Sequence, residues 1–321
     1  MDKTSDKNLE KPVDVKDAIG CNNTDVDITE RVGPTIYKPY PKIFKDAEGN
    51  TLPIRVIDGY MYAPTWIRPT LHEDLKQFQT RPDDIWLISY PRSGNHWVTN
   101  ICWLLLHERM SDKFEEEPYM IDGHNLTAEK LPSPRIMRSH MHYSDHFPQD
   151  VFRQKNKVIY LYRDGRDVAV SLYKHITQVA SYQYSGTWNG FLPNFLDGIL
   201  PYGSWFKHVD GWMKKCRVNS EFMLAISYED FKKDPVGTIA RISSFLELQK
   251  TEAEIREVAE KTSFKCMKKR DEFYQQFAKD QVEGTMYRLG ITGDWASMFT
   301  SEQCERFNHK HQEILSDAIP L

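Results

Sequence analysis

The sequence predicts an α/β fold, a single domain in which a central parallel β-sheet is flanked by helices. Three observations carry that expectation. A nearly continuous apolar run of the kind that forms a buried parallel strand lies at 84–90, and further short strands are read at 135–140, 157–162 and 222–228. Stretches with helical spacing follow three of them, over 97–109, from 167 and from 236, and strands that alternate with helices imply a parallel sheet. No internal repeat or linker interrupts the pattern, so residues 35–321 read as one domain behind a mobile, polar tail over 1–34.

Taken in order, residues 35–70 hold several prolines and tyrosines, with a turn at Glu48-Gly49-Asn50 between apolar residues. A short helix is expected over 71–78. The strand Asp84 to Tyr90 leads through the loop Pro91-Arg-Ser-Gly-Asn-His96 into a helix over 97–109. Arg135 to His140 is a short strand that ends in polar residues. Lys157 to Tyr162 is a strand, Arg163-Asp-Gly-Arg166 its loop, and a helix starts at Asp167, where an acidic residue suits the dipole. Phe222 to Tyr228 is the last strand, followed by helices over 236–248 and 252–260.

The bulk numbers narrow the function. A chain of 321 residues with 40% hydrophobic and 27% charged residues is an ordinary soluble globular protein. A net charge of −4 disfavours a long polyanion, so no nucleic acid partner is expected, while a small anion needs only a local positive cluster. Cys21, Cys102, Cys216, Cys266 and Cys304 are odd in number and form no C-x-x-C pair, which suits a reducing, cytoplasmic compartment. The N-terminal stretch lacks the apolar core of a secretory signal, and the longest apolar run, Trp97 to Leu106, is too short to span a bilayer, so no membrane partner is expected.

The chemistry gathers at strand ends. The Tyr90–Trp97 segment is a P-loop-like strand–loop–helix junction: free N–H groups and the helix dipole favour an anion, Gly94 permits close backbone approach, and Arg92 adds charge. An ordinary βα turn is the alternative. It is not a Walker A motif, since no G-x-x-x-x-G-K-[ST] occurs. Arg163 with Ser171 eight residues on repeats the device, and two such sites suit a ligand with two separated anionic groups. A third strand end carries Arg138-Ser139-His140, where a histidine serves either structure or general-base catalysis. His142 and His146 lie nearby, but with Asp145 as their one neighbouring carboxylate and no cysteine, no metal is expected.

These segments together resemble the cytosolic sulfotransferase family. Its phosphosulfate loop, Tyr-Pro-Lys-Ser-Gly-Thr-Thr-Trp, corresponds to Tyr90–Trp97, its Lys-Thr-His strand to Arg138-Ser139-His140, and its Arg…Asp-Val-Ala-Val-Ser segment to Arg163 with Asp167–Ser171. Tyr202-Gly-Ser-Trp205, Tyr228-Glu-Asp230, Thr262-Ser-Phe264 and Arg288-Leu-Gly290 through Gly293-Asp-Trp295 follow in the family's order, from about residue 50 to the C-terminus. The resemblance implies a sulfuryl transfer from 3′-phosphoadenosine-5′-phosphosulfate (PAPS) to a hydroxyl or amine of a small, apolar acceptor, with PAP as the product. It implies that Arg92, Ser93, Gly94, Asn95, His96 and Trp97 hold the 5′-phosphosulfate, with Trp97 stacked on adenine. Arg163, Ser171 and Arg288 bind the 3′-phosphate, with Leu289 and Gly290 beside it, and Tyr228, Thr262 and Phe264 line the adenine pocket. His140 is then the general base, and Arg92 and Arg138 neutralise charge on the transferring and leaving oxygens.

The chain departs from the family pattern in places. Arg92 and Arg138 stand where lysine is usual, and arginine does not give up a proton. Asn95 and His96 replace threonines. Asn95 retains a donor for phosphate, and His96 is a donor or an alternative base. Leu289 replaces a basic residue, leaving only its backbone N–H. The family dimer motif is half lost at Ala296, Thr300, Ser301 and Glu305, which leaves family-type dimerisation open. Two alternatives remain: a dehydratase acting through a transient sulfate ester, and a non-catalytic PAPS- or PAP-binding protein. Acceptor contacts are expected from Met141–Phe147 and from 179–200, where Tyr182, Tyr184, Trp188, Phe191 and Phe195 offer an apolar wall.

Overall fold

Each apolar run forms a strand of one parallel sheet. The computed structural model describes residues 41–64, 67–108, 119–123, 128–144, 146–277 and 287–315, so the tail read over 1–34 lies outside them. The strands β4 (Ile85–Ser89), β5 (Tyr119–Met120), β6 (Ile136–Ser139), β7 (Lys157–Tyr162) and β8 (Met223–Ser227) pair in the order β5-β6-β4-β7-β8, all parallel. β4 therefore has β6 on one side and β7 on the other. This is the switch point of an open α/β sheet, where ligands bind beyond the carboxyl ends of the strands.

Alternate residues of β4 feed two cores, as the pleat requires. Trp86 and Ile88 join Tyr160, Trp205, Phe206 and Trp212 on one face. Ile85 and Leu87 join Ile159, Val98, Ile101 and Ile239 on the other. At the opposite end of the strands, Arg135 donates from Nε to Asp84 Oδ1 at 2.6 Å, and a second guanidinium nitrogen pairs with Asp84 Oδ2. Both side chains are fully buried, so this pair ties the start of β4 to the start of β6.

Helices cover both faces. They are α1 (Leu71–Gln77), α2 (Asn95–His107), α3 (Asp150–Arg153), α4 (Gly165–Gln178), α5 (Trp188–Asp197), α6 (Trp205–Val218), α7 (Tyr228–Lys233), α8 (Pro235–Phe245), α9 (Glu252–Lys261), α10 (Phe264–Phe277) and α11 (Ser301–Leu315). Three of the boundaries that shift from the sequence reading do so for a capping reason. α2 starts at Asn95 because Gly94, at φ 106°, is its N-cap. α4 starts at Gly165 because the Asp164 side chain accepts from the Arg166 N–H. Tyr228 opens α7 rather than closing β8, because Ser227 Oγ accepts from the Asp230 N–H at 3.2 Å.

Before α1 lies a separate antiparallel sheet of β1 (Lys42–Lys45), β2 (Thr51–Ile57) and β3 (Tyr60–Tyr62). The turn at Glu48-Gly49-Asn50 joins its first two strands, held by Asp46 Oδ1, which accepts from the Glu48 and Asn50 N–H groups at 2.9 and 2.8 Å. Pro53, which gives no N–H to a ladder, hides β2 from a propensity reading. Asp58-Gly59, with φ of 49° and 83°, makes the tight second turn.

Candidate active site

A cleft of about 1220 Å³, open solvent included, lies over the carboxyl ends of β4, β6 and β7. Fourteen of the residues singled out from the sequence line it: Arg92, Gly94, Asn95, His96, Trp97, His140, Arg163, Ser171, Tyr228, Thr262, Phe264, Arg288, Leu289 and Gly290. Ser93 and Arg138 are buried beneath its wall.

The β4–α2 loop is shaped for an anion. Arg92 at φ 68° and Gly94 at φ 106° turn it sharply, and a Cβ on Gly94 would come within 3.0 Å of the Tyr228 ring. No side chain caps α2, and while the Trp97 and Val98 N–H groups bond the Gly94 carbonyl at 3.0 and 3.3 Å, those of Asn95 and His96 find no acceptor among the described residues. Ser93 Oγ is buried with no hydrogen-bond partner among the described residues. Arg92 Nε donates to Ser171 Oγ at 3.2 Å, which joins this loop to α4. The Trp97 indole donates to the Thr262 carbonyl at 2.9 Å and stacks on Phe231 with centroids 4.2 Å apart. Asn95 corrects one expectation: its amide donates to the Leu87 carbonyl at 3.3 Å and to Ser89 Oγ at 3.1 Å. Both amide hydrogens are spent on β4, so the side chain anchors the helix and offers no donor to phosphate.

The second cationic group sits across the cleft. Arg163 lies over the Tyr228 ring at 4.5 Å, and donates to the carbonyls of Ile291 at 2.9 Å and Arg92 at 3.2 Å. Asp167 Oδ2 and Oδ1 accept from the backbone N–H groups of Gly293 and Trp295 at 2.9 and 3.0 Å, which pins the 287–297 segment against α4. That segment brings in Arg288, paired with Asp294. The Nε–H groups of Arg163 and Arg288 are buried with no partner among the described residues, which leaves them for an anion. Gly290, at φ 65°, passes so close to Phe264 that a Cβ would sit 2.1 Å from its ring.

His140 follows β6, half-buried. Its Nδ1 lies 2.7 Å from the Ser89 carbonyl. A carbonyl only accepts, so Nδ1 carries the proton and Nε2 keeps its lone pair. Burial lowers the His140 pKa below its usual 6.5; Asp122 and the Ser89 bond oppose this, and Arg138 and Arg92 add to it. The imidazole is therefore a neutral base at neutral pH. His96 has the opposite tautomer: Arg138 Nη1 donates to His96 Nδ1 at 3.3 Å, which places the proton on Nε2. Burial, then Arg138, His140 and Arg92, push His96 well below 6.5, so it acts as a neutral donor. Of the two roles open to His96, this pairing favours the donor.

Several lining residues were not singled out as site residues from the sequence: Met120, His175, Tyr202, Lys232, Met267, Tyr287 and Ile291. Asp122, fully buried, accepts the His140 backbone N–H at 3.2 Å. Sparse local signal hides these groups, although Tyr202 opens a family motif. His175 lies three turns into α4, and burial pulls its pKa down to about 3, with Arg92 and His140 adding to the shift. Of the aromatic stretch expected to wall the acceptor, only Tyr182 reaches the cleft. Tyr184, Phe191 and Phe195 are core residues, and Trp188 packs on Phe299. The amphipathic α5 turns its apolar face inward, onto the body of the protein.

Comparison with known proteins agrees with this geometry. The family model of the sulfotransferase domain matches residues 82–318. The amine sulfotransferase of Oryctolagus cuniculus is 32% identical over 276 residues, which span 82% of this chain and 90% of that protein. The crystal structure of mouse sulfotransferase SULT7A1 complexed with PAP superposes with a TM-score of 0.70 at 29% identity, covering 83% of this chain and 95% of that one. Retinol dehydratase in complex with retinol and PAP shares the fold alone, with a TM-score of 0.67 at 23% identity, covering 85% of this chain and 92% of that one. The family match over residues 82–318 and the relatives that cover most of this chain place it in the sulfotransferase domain family, whose enzymes are PAPS-dependent sulfotransferases.

Proposed function

We propose that the cleft binds PAPS between its two cationic poles and that His140 activates a small acceptor beside it. The 5′-phosphosulfate rests on the 92–97 loop, through backbone N–H groups, Ser93, Arg92 and His96. The 3′-phosphate is held by Arg163, Ser171 and Arg288, and the adenine lies among Trp97, Tyr228, Thr262 and Phe264. His140 Nε2 takes the proton as the acceptor oxygen or nitrogen attacks sulfur. The bond between sulfur and the phosphate oxygen breaks, and PAP leaves with the electron pair. Arg92, Arg138 and the His96 Nε2–H offset charge growing on the oxygens. None of these groups gives PAP a proton readily, since both cations are arginines and His96 is neutral.

The observation that carries this reading is the tautomer of His140, fixed by the Ser89 carbonyl at 2.7 Å. The acceptor end is bounded by Met120, His175, Tyr182 and Tyr202, which suits a small, mainly apolar molecule with one reactive hydroxyl or amine. A cytoplasmic site of action follows from the cysteine pattern, and no helix among the described residues is long and apolar enough to cross a membrane. Ala296, Thr300, Ser301 and Glu305, where the family dimer motif is half lost, are all exposed. His140→Ala is expected to lower kcat/KM by ~10²–10⁴-fold with PAP affinity unchanged. A variant that keeps full activity would remove His140 from the chemistry.

A further inference from the structure

We propose that Asp58, His72 and His146 form a second site, outside the PAPS cleft, for a divalent first-row transition metal ion such as Zn²⁺. One ligand atom from each residue lies within 4.8 Å of the other two. The three come from separate segments: the β2–β3 turn, the start of α1, and the loop between His140 and α3. Their spread along the chain explains why spacing alone argued against a metal. His146 has no acidic neighbour in sequence other than Asp145, which lies outside the described residues, but the fold supplies Asp58 and His72.

The surroundings are those of a ligating histidine. His72 is buried, with Nδ1 2.8 Å from Asp58 Oδ2 and Nε2 2.7 Å from Tyr62 Oη. With an ion on Nδ1, the Nε2–H donates to the Tyr62 oxygen. This is the outer hydrogen bond that orients metal-bound imidazoles. In the metal-free chain Nδ1–H donates to the Asp58 carboxylate and Nε2 accepts from the Tyr62 hydroxyl, so the ion takes Nδ1 as that proton moves to Nε2, with no net proton lost from the imidazole. The Asp58 side chain is 58% exposed, which leaves room for a water as the fourth ligand.

His146 supplies the third donor. Its ring stacks on that of His72, with centroids 3.9 Å apart and planes 10° apart, and Tyr60 meets both rings edge-on. A tetrahedral ion needs these planes to diverge. His146, on a half-exposed loop, turns to meet it, while Tyr62 and Asp58 hold His72 in place. Two imidazoles and one carboxylate suit Zn²⁺, Co²⁺ or Ni²⁺ better than Mg²⁺ or Ca²⁺, which favour all-oxygen sites. An occupied site clamps the β2–β3 turn to the loop that carries His140, and Tyr62 packs on Tyr202, which packs on His140. The competing account is a metal-free chain of hydrogen bonds through Asp58, His72 and Tyr62, with the His146 ring packed on His72 and Tyr60.

The full chain, stripped with a chelator, is titrated with Zn²⁺ against a chromophoric competitor and separately with Co²⁺. The expected result is one ion per chain, a Co²⁺ spectrum without thiolate character, and affinity weakened by ~10–100-fold in both His146→Ala and Asp58→Asn. Cys266→Ser and Cys304→Ser leave binding unchanged. Both test positions are at least partly exposed, and equal thermal midpoints of the stripped parent and variants verify that the fold persists. Unweakened binding in the two variants, a thiolate signature, or no stoichiometric binding would each overturn the site.

Discussion

His140 and His96 face the same cleft with opposite tautomers, and backbone and guanidinium partners set which is which. Ser89 offers His140 only an acceptor, and Arg138 offers His96 only a donor. This assignment has a pH signature. Burial, with help from Arg138 and Arg92, lowers His140 below 6.5 against the pull of Asp122. A lowered value keeps the base neutral to more acidic pH, so the acidic fall of kcat/KM has its midpoint below 6.5. Stopped assays on either side of that value measure it, and a midpoint at or above 6.5 would contradict the assignment. The cationic pole makes a separate prediction. Arg288 Nε is buried without a partner among the described residues, so Arg288→Ala removes a charge-assisted contact worth about 1.5–3 kcal/mol. PAP affinity measured by calorimetry is expected to fall by ~10–100-fold. The sequence disclosed these residues because each stands at a motif position. It misplaced Asn95, since nothing local shows that an amide turns back toward its own strand.

Among the elements, β4, β6 and β7 do the positioning, because their neighbouring carboxyl ends bring the loop, the base and Arg163 together. The buried Arg135–Asp84 pair locks the opposite ends of β4 and β6. Removing the arginine leaves the buried Asp84 carboxylate with the Arg81 N–H, 2.8 Å from Oδ2, and no cation, so Arg135→Met is expected to cost about 3–5 kcal/mol of stability, read by urea unfolding. A change below 1 kcal/mol would mean that water or a neighbour satisfies Asp84. The strands were legible because parallel strands buried on both faces are continuous apolar runs. β5 is two residues long, and β2 contains Pro53, so neither has such a run. α5, α6 and α11 left weaker signals: Pro193 lies inside α5, and α11 is largely polar.

For the whole molecule, the fold class and most of the cleft were legible, because seven family segments recur in order along one chain. The acceptor end was not, because it is assembled from β5, α4 and the segments around Tyr182 and Tyr202, which meet only in the folded chain. The same holds for Asp58, His72 and His146, whose pairing depends on a hairpin crossing to the loop after β6. The central claim is that this cleft transfers a sulfuryl group from PAPS to a small acceptor through His140. The most direct measurement incubates the protein with PAPS and a panel of phenols, alcohols, steroids and amines, following PAP release with mass spectrometry of the products and His140→Ala as control. The expected result is a stable sulfated product, formed with equal PAP, that disappears in the control. PAP release with a dehydrated product would make the protein a dehydratase. PAP binding without turnover on the panel, or the same sulfated product at full rate from the control, would contradict the account.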